Sequence, residues 1–189
     1  FKRPKYVENI IGLINDGFEN CIPVLDNLNE LDNYVANIDK NFQIGIRVAS
    51  DEEPNFAFYT SRLGFRYHSI IDYYKEKIQP NEKIKLKLLH FFINTGIKDS
   101  AYYWSELSRF VHIYCDLKKH CPELDTIDIG GGFPIKNKLN FEFDYAYMAD
   151  QIIENIKWIC EKNNTPTPHI ITEFGSYTVG ESGATIYSV

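Results

Sequence analysis

A single methionine, four scattered cysteines and no long apolar run define this 189-residue chain as much as anything it contains. No apolar stretch approaches roughly 18 residues, so no membrane segment is expected. Cations are scarce too: 20 Lys and Arg against 26 Asp and Glu leave a formal charge of −6. Binding a phosphate backbone needs clustered Lys and Arg, so nucleic acid is not expected as a partner. Cys21, Cys115, Cys121 and Cys160 form no CxxC pair and no dense disulfide pattern, which reads as reduced thiols in a cytoplasmic protein. His112 and Cys115 fall on one helix face with His120 and Cys121 nearby, but that is not a zinc-ligand arrangement, and no metal is expected. Low-complexity tracts, flexible linkers and short repeats are absent. The length suits one ordinary domain, whereas a closed eightfold βα barrel usually needs roughly 250 residues. The chain starts at Phe1 without an initiator Met or a signal-like segment, and is expected to be cut from something longer.

What is present is an alternation of helical and strand-like segments. Pro4 suits a helix start, and Val7, Ile10, Ile11 and Ile14 repeat with helical spacing until Asp16-Gly17. Cys21 to Leu25 reads as a strand. Asn27 with Glu30 three residues on resembles a cap for a helix carrying Leu28, Leu31 and Val35. Further strands are predicted over Gln43 to Ala49, Lys85 to Phe92, Leu124 to Ile129 and His169 to Glu173. Between them come a polar loop (Ser50 to Asn55), the Ser61-Arg62-Leu63-Gly64 turn and a helix through Ile70, Ile71, Tyr74 and Ile78. A long amphipathic helix follows through Trp104, Leu107, Val111, Tyr114 and Leu117, and another capped by Asp144 runs through Met148, Ile152, Ile156 and Ile159. Five strands separated by helices imply α/β architecture with a parallel sheet, satisfied by an open doubly wound sheet or by part of a barrel.

Chemically distinctive residues collect at the predicted C-terminal strand ends, the edge that carries active sites in parallel α/β folds. Arg47 interrupts an apolar strand and needs a partner, either a carboxylate in a structural ion pair or a ligand. Gly130, Gly131 and Gly132 remove side chains where backbone N–H groups can close on an anion. A tight turn seldom needs three glycines, so phosphate binding is the preferred reading. Glu173 ends an apolar strand, as a general acid or base, a nucleophile, a partner for a protonated ring nitrogen, or a solvated exit residue. His90 shares a strand face with Phe92 one layer deeper, and reads as a buried, hydrogen-bonded histidine.

Together, Leu89-His90-Phe91-Phe92-Ile93-Asn94-Thr95-Gly96, Asp128-Ile129-Gly130-Gly131-Gly132-Phe133 and Thr172-Glu173-Phe174-Gly175-Ser176 resemble the ordered motifs of a known family. These are the fold-type III, alanine-racemase-like pyridoxal-phosphate decarboxylases, and the likeness is greatest to the biosynthetic arginine decarboxylases. Gly45-Ile46-Arg47-Val48 and Ser61-Arg62-Leu63-Gly64 fit in order, so the resemblance covers nearly the whole chain.

The resemblance implies residues 1–189 form part of a TIM (β/α)8 barrel of the pyridoxal-phosphate-binding type, about five βα units. It implies that the cofactor is pyridoxal 5′-phosphate and the partner a small-molecule amino-acid substrate, with arginine converted to agmatine in polyamine biosynthesis. A homo-oligomer, dimer or higher, is implied for the full-length form. Gly130, Gly131 and Gly132 would hold the phosphate, with Thr95 adding a hydroxyl. Glu173, the catalytic residue, would keep the ring nitrogen protonated and make the ring an electron sink. Arg47 would line the cofactor pocket, and Gly175 and Ser176 would complete it.

Two positions depart from the family pattern. Phe92 stands where the family usually stacks a histidine, keeping the stacking and losing any polar role. Ser176 stands where an arginine usually reaches the phosphate, losing a cation. The Schiff-base lysine would belong to strands before Phe1 and the C-terminal sheet domain would follow Val189, so the isolated chain is expected to be inactive. Two other readings stay open: a barrel glycoside hydrolase using Glu173, for which no second strand-end carboxylate is apparent, and a non-catalytic pyridoxal-phosphate-binding family member.

Overall fold

Alternating strands and helices become five parallel strands in a computed structural model that describes residues 2–49, 63–93, 96–135, 141–180 and 182–183. The strands are β1 (Val24–Leu25), β2 (Phe42–Val48), β3 (Ile84–Phe91), β4 (Thr126–Asp128) and β5 (His169–Ile171). The helices are α1 (Pro4–Asn15), α2 (Glu30–Asn37), α3 (Tyr67–Tyr73), α4 (Ala101–Lys118), α5 (Tyr145–Lys162) and α6 (Gly175–Val179). The strands lie side by side in chain order, β1-β2-β3-β4-β5. A doubly wound sheet reverses its strand order at a switch point, and these five strands show no reversal. Of the two architectures open to the sequence, the order is that of a barrel segment.

The core forms where α4 covers the sheet. Leu107, Phe110, Val111 and Tyr114 of α4 are buried with Ile44 and Ile46 of β2 and Leu86, Leu89 and Phe91 of β3. Burying each such side chain stabilises the fold by roughly 1.5–3 kcal/mol. Phe91 stacks on Phe110 with ring centroids 5.1 Å apart, fixing α4 against the exit of β3. Side-chain caps hold α4 and α5: Ser100 Oγ accepts the Tyr103 N–H at 3.3 Å, and the predicted cap Asp144 accepts the Tyr147 N–H on Oδ1 at 2.9 Å.

Several local expectations are corrected. Asn27 does not cap α2; its Oδ1 accepts the Asn29 N–H, and the Glu30 carboxylate reaches back to the Asp26 N–H at 2.9 Å. The helix through Ile70 to Ile78 is α3 followed by a π-helical turn, Tyr74–Ile78, which lets Tyr73 and Tyr74 be buried in succession. β1, β4 and β5 are shorter than predicted, and the residues of β5 are exposed. α6, directly after Glu173, has no periodic signal in the sequence. The Ser50 to Asn55 loop, Ser61-Arg62 and Asn94-Thr95 lie outside the described residues.

Candidate functional site

Parallel strands laid in chain order bring successive exits to one edge. There Lys2, Asp26, Arg47, His90, Phe92 and Glu173 surround a cavity of about 320 Å³. Asp26 follows β1, Arg47 is the penultimate residue of β2, and His90 and Phe92 lie in and just past β3. The register places Arg47 beside His90 and His90 beside Asp128, so a row of ionisable residues crosses the sheet.

Arg47 finds its carboxylate in Asp26, 4.0 Å from Nη1. Asp26 also accepts from Lys2 Nζ at 2.9 Å, and Lys2 reaches Glu30 at the same distance. The Arg47 guanidinium lies 5.2 Å above the Phe92 ring, a cation–π contact that holds both at the cavity wall.

A second cluster stands on the other side. His90 Nε2 lies 3.7 Å from Glu173 Oε2, and one ligand atom each from His90, Asp128 and Glu173 fall within 4.8 Å of one another. Burial pushes the His90 pKa below its ordinary value, with the Arg47 charge acting in the same direction and Glu173 and Asp26 opposing. Burial raises the Asp128 carboxyl to about 6; the Glu173 charge adds to this, and the Gly130 N–H that Asp128 accepts at 2.8 Å opposes it. The pair of carboxylates makes this cluster a negative pocket wall, suited to a protonated nitrogen.

The glycine triplet knits the exits of β3, β4 and β5 together. A Cβ on Gly131 would stand 2.3 Å from the Glu173 carbonyl oxygen. Gly130 and Gly132 have φ of +68° and +109°, and a Cβ on them would stand 2.6 Å from the Phe91 carbonyl oxygen and 2.8 Å from Gly96 Cα. The expectation that a turn seldom needs three glycines is therefore corrected, because packing alone requires each one. The carbonyls are consumed: Gly130 O accepts from Glu173 N–H and Gly132 O from Ile97 N–H, both at 2.9 Å. The N–H groups of Gly131 and Gly132 donate to no acceptor among the described residues. Phe133 braces the loop against Phe174, with ring centroids 4.3 Å apart.

Arg47, Phe92 and Glu173 are thus brought together, and Gly131 joins them through its contact with Glu173. Gly175 and Ser176 open α6 on the exposed side of Glu173, where no described contact links the Ser176 hydroxyl to the cavity. Thr95 lies outside the described residues. Asp26, Lys2 and Asp128 were not singled out from the sequence. Asp26 and Asp128 carry the same strand-end signal as Arg47 and Glu173, whereas Lys2 has no local signal, being placed by the fold alone. Asp128 also supplies the second strand-end carboxylate thought missing, although it is buried and tied to Gly130.

Fold and site together define a parallel α/β domain of the barrel type with a tightly packed glycine loop at its C-terminal edge. The chain belongs to the pyridoxal-dependent decarboxylases: residues 5–180 match that family's pyridoxal binding domain, whose cofactor is pyridoxal phosphate. It is 29% identical over its whole length to a biosynthetic arginine decarboxylase of Prochlorococcus marinus (strain MIT 9215), spanning 31% of that protein. A biosynthetic arginine decarboxylase of Geobacter sp. (strain M21) is 26% identical, again over the whole chain and 32% of the relative. Among solved structures, the biosynthetic arginine decarboxylase of Campylobacter jejuni superposes with a TM-score of 0.70 at 21% identity, covering 94% of this chain and 30% of that one. A diaminopimelate decarboxylase from M. jannaschii superposes at 0.73 with 16% identity, covering 90% and 41%. The five βα units correspond to part of the cofactor-binding barrel of these proteins. This membership displaces the glycoside hydrolase reading. Among the described residues, no helix is long and apolar enough to cross a membrane.

Proposed function

We propose that the strand-end cavity is the cofactor face of an amino-acid decarboxylase that converts arginine to agmatine in polyamine biosynthesis. The observation that carries this is the pairing of two glycine N–H groups that find no acceptor among the described residues with the Glu173 carboxylate, across one loop of a pyridoxal-binding domain. Such donors suit a phosphate, and a carboxylate in a negative wall suits a protonated ring nitrogen, so the residues fit pyridoxal 5′-phosphate.

Gly131 and Gly132 would hold the phosphate through their N–H groups, with Gly130 setting the turn. Glu173 would face the ring nitrogen and keep a proton there. Phe92 packs on the ring face, excluding water, and Arg47 closes the wall with Asp26 behind it. Gly175 and Ser176 open α6 after Glu173, where the Ser176 hydroxyl would offer one donor in place of the cation the family usually has. When bound, the cofactor supplies an electron sink for the bond that releases carbon dioxide. Arginine is favoured because the curated relatives in Prochlorococcus and Geobacter are arginine decarboxylases. The chain spans about a third of their length, and the active form is a cytoplasmic homo-oligomer, dimer or higher, of the longer protein.

The full-length protein, supplied with pyridoxal phosphate, should release carbon dioxide from arginine and not from ornithine, lysine or diaminopimelate. Release from another of the four would keep the chemistry and overturn the substrate. Silence with all four despite bound cofactor would make Phe92 and Ser176 marks of a non-catalytic family member. Residues 1–189 alone contain no lysine in a matching motif and should release none; detectable turnover would contradict that.

A further inference from the structure

His90 has a place in the site that its burial alone does not explain. It is only 7% exposed, its buried Nδ1 has no hydrogen-bond partner among the described residues, and its Nε2 points at Glu173 from one layer beneath Phe92. Glu173 is the opposite case. Its side chain is 54% exposed, and no described residue donates a hydrogen bond to its carboxylate. An exposed, untethered carboxylate is a poor fixed partner for a ring nitrogen, because its rotamers are free in solvent. Among the described residues, the N–H-bearing ring aimed at it is that of His90.

We propose that His90 is a positioning residue for Glu173, using its Nε2–H to hold one carboxylate oxygen so that the other faces the ring nitrogen. This rests on the cofactor site proposed above.

The charge state and tautomer follow from the surroundings. Burial and Arg47 favour the neutral ring over the opposing pull of Glu173 and Asp26, so a single N–H is available. On Nδ1 that hydrogen would be a buried donor without an acceptor, while the Nε2 lone pair faced two carboxylates, Glu173 and Asp128. On Nε2 it meets Glu173 and leaves only an unpaired acceptor inside, the cheaper defect. At 3.7 Å the approach is longer than a formed hydrogen bond. The exposed Glu173 is the partner free to close it. The row Arg47, His90, Asp128 fixes His90 from both sides of β3, so the ring itself has little freedom to move.

Two measurements test this. In the cofactor-free protein at pH 7.5, ring-nitrogen NMR should find the Nε2–H tautomer of His90, and Glu173→Gln should abolish that preference, since the amide can itself donate to Nε2. An Nδ1–H tautomer, or one unchanged by Glu173→Gln, would overturn the proposal. The second measurement is binding of pyridoxine 5′-phosphate, which lacks an aldehyde and cannot react with lysines. His90→Leu should weaken it about tenfold, as expected for losing a hydrogen bond to a charged group. His90→Gln, which keeps a donor, should stay within about threefold. On a Glu173→Ala background His90→Leu should have little further effect, the signature of acting through Glu173. Equal weakening on both backgrounds, or equal loss in the Leu and Gln variants, would mean simple packing and overturn the role. Failure of the unsubstituted protein to bind would instead sink the cofactor site, leaving the tautomer to decide whether His90 orients Glu173.

Discussion

Replacing Gly131 with alanine should measure how tightly the strand-end loop is packed. The added Cβ would lie 2.3 Å from the Glu173 carbonyl oxygen and 3.1 Å from its carbon, both backbone atoms that cannot swing away. Regaining ordinary contact requires the exits of β4 and β5 to part by about 1 Å or more. That displacement strains the 2.9 Å bond from Glu173 N–H to Gly130 O. A lost backbone hydrogen bond of about 1 kcal/mol and an overpacking cost of about 1–3 kcal/mol together predict destabilisation near 2–4 kcal/mol. Urea unfolding measures it directly, and Gly12→Ala is the control. Gly12 lies inside α1, and a Cβ there meets nothing within 4 Å. Gly12→Ala should therefore stabilise by about 0.5–1 kcal/mol. A Gly131→Ala midpoint that falls by less than the equivalent of about 0.5 kcal/mol, the usual range for an inconsequential substitution, would refute the close-packed loop.

Other outcomes follow from the charged clusters. Asp26→Asn removes the carboxylate charge from both Arg47 and Lys2, and should cost about 1–2 kcal/mol by urea unfolding, with Glu30 still holding Lys2. An unchanged stability would show that the pair is idle. Asp128 ionises near 6 in the fold against an unfolded value of 3.8, so the folded state holds its proton longer. Its contribution to stability is complete below pH 3.8 and is lost as pH rises through 6. Asp128→Asn keeps the acceptor for the Gly130 N–H, and should gain on the unsubstituted protein across that window by up to about 3 kcal/mol. A stability difference flat from pH 4 to 7 would contradict the burial argument.

The fold was legible where side chains alternate or repeat. Ile44 and Ile46 of β2 and the α5 stripe from Met148 to Ile159 lie where periodicity puts them. Strand order was not legible, because an open sheet and a barrel segment share the same local pattern. At the site, Arg47, the glycines and Glu173 were readable as odd residues at strand ends. The reason for the glycines was not: their crowding comes from Phe91, Gly96 and Glu173, each remote in sequence. Asp26 was hidden by the same ambiguity that gave the cap to Asn27, since a short acidic turn before a helix reads as capping. Lys2 and His90 acquire meaning only once β1, β3 and β5 stand side by side, which no window of sequence shows.

The central claim is that the glycine loop is a phosphate cup. The most direct measurement compares binding of pyridoxine 5′-phosphate with pyridoxine, neither of which can react with a lysine. The account predicts clear preference for the phosphorylated compound, lost in Gly131→Ala. Equal affinity for the two, or preference untouched by Gly131→Ala, would contradict it.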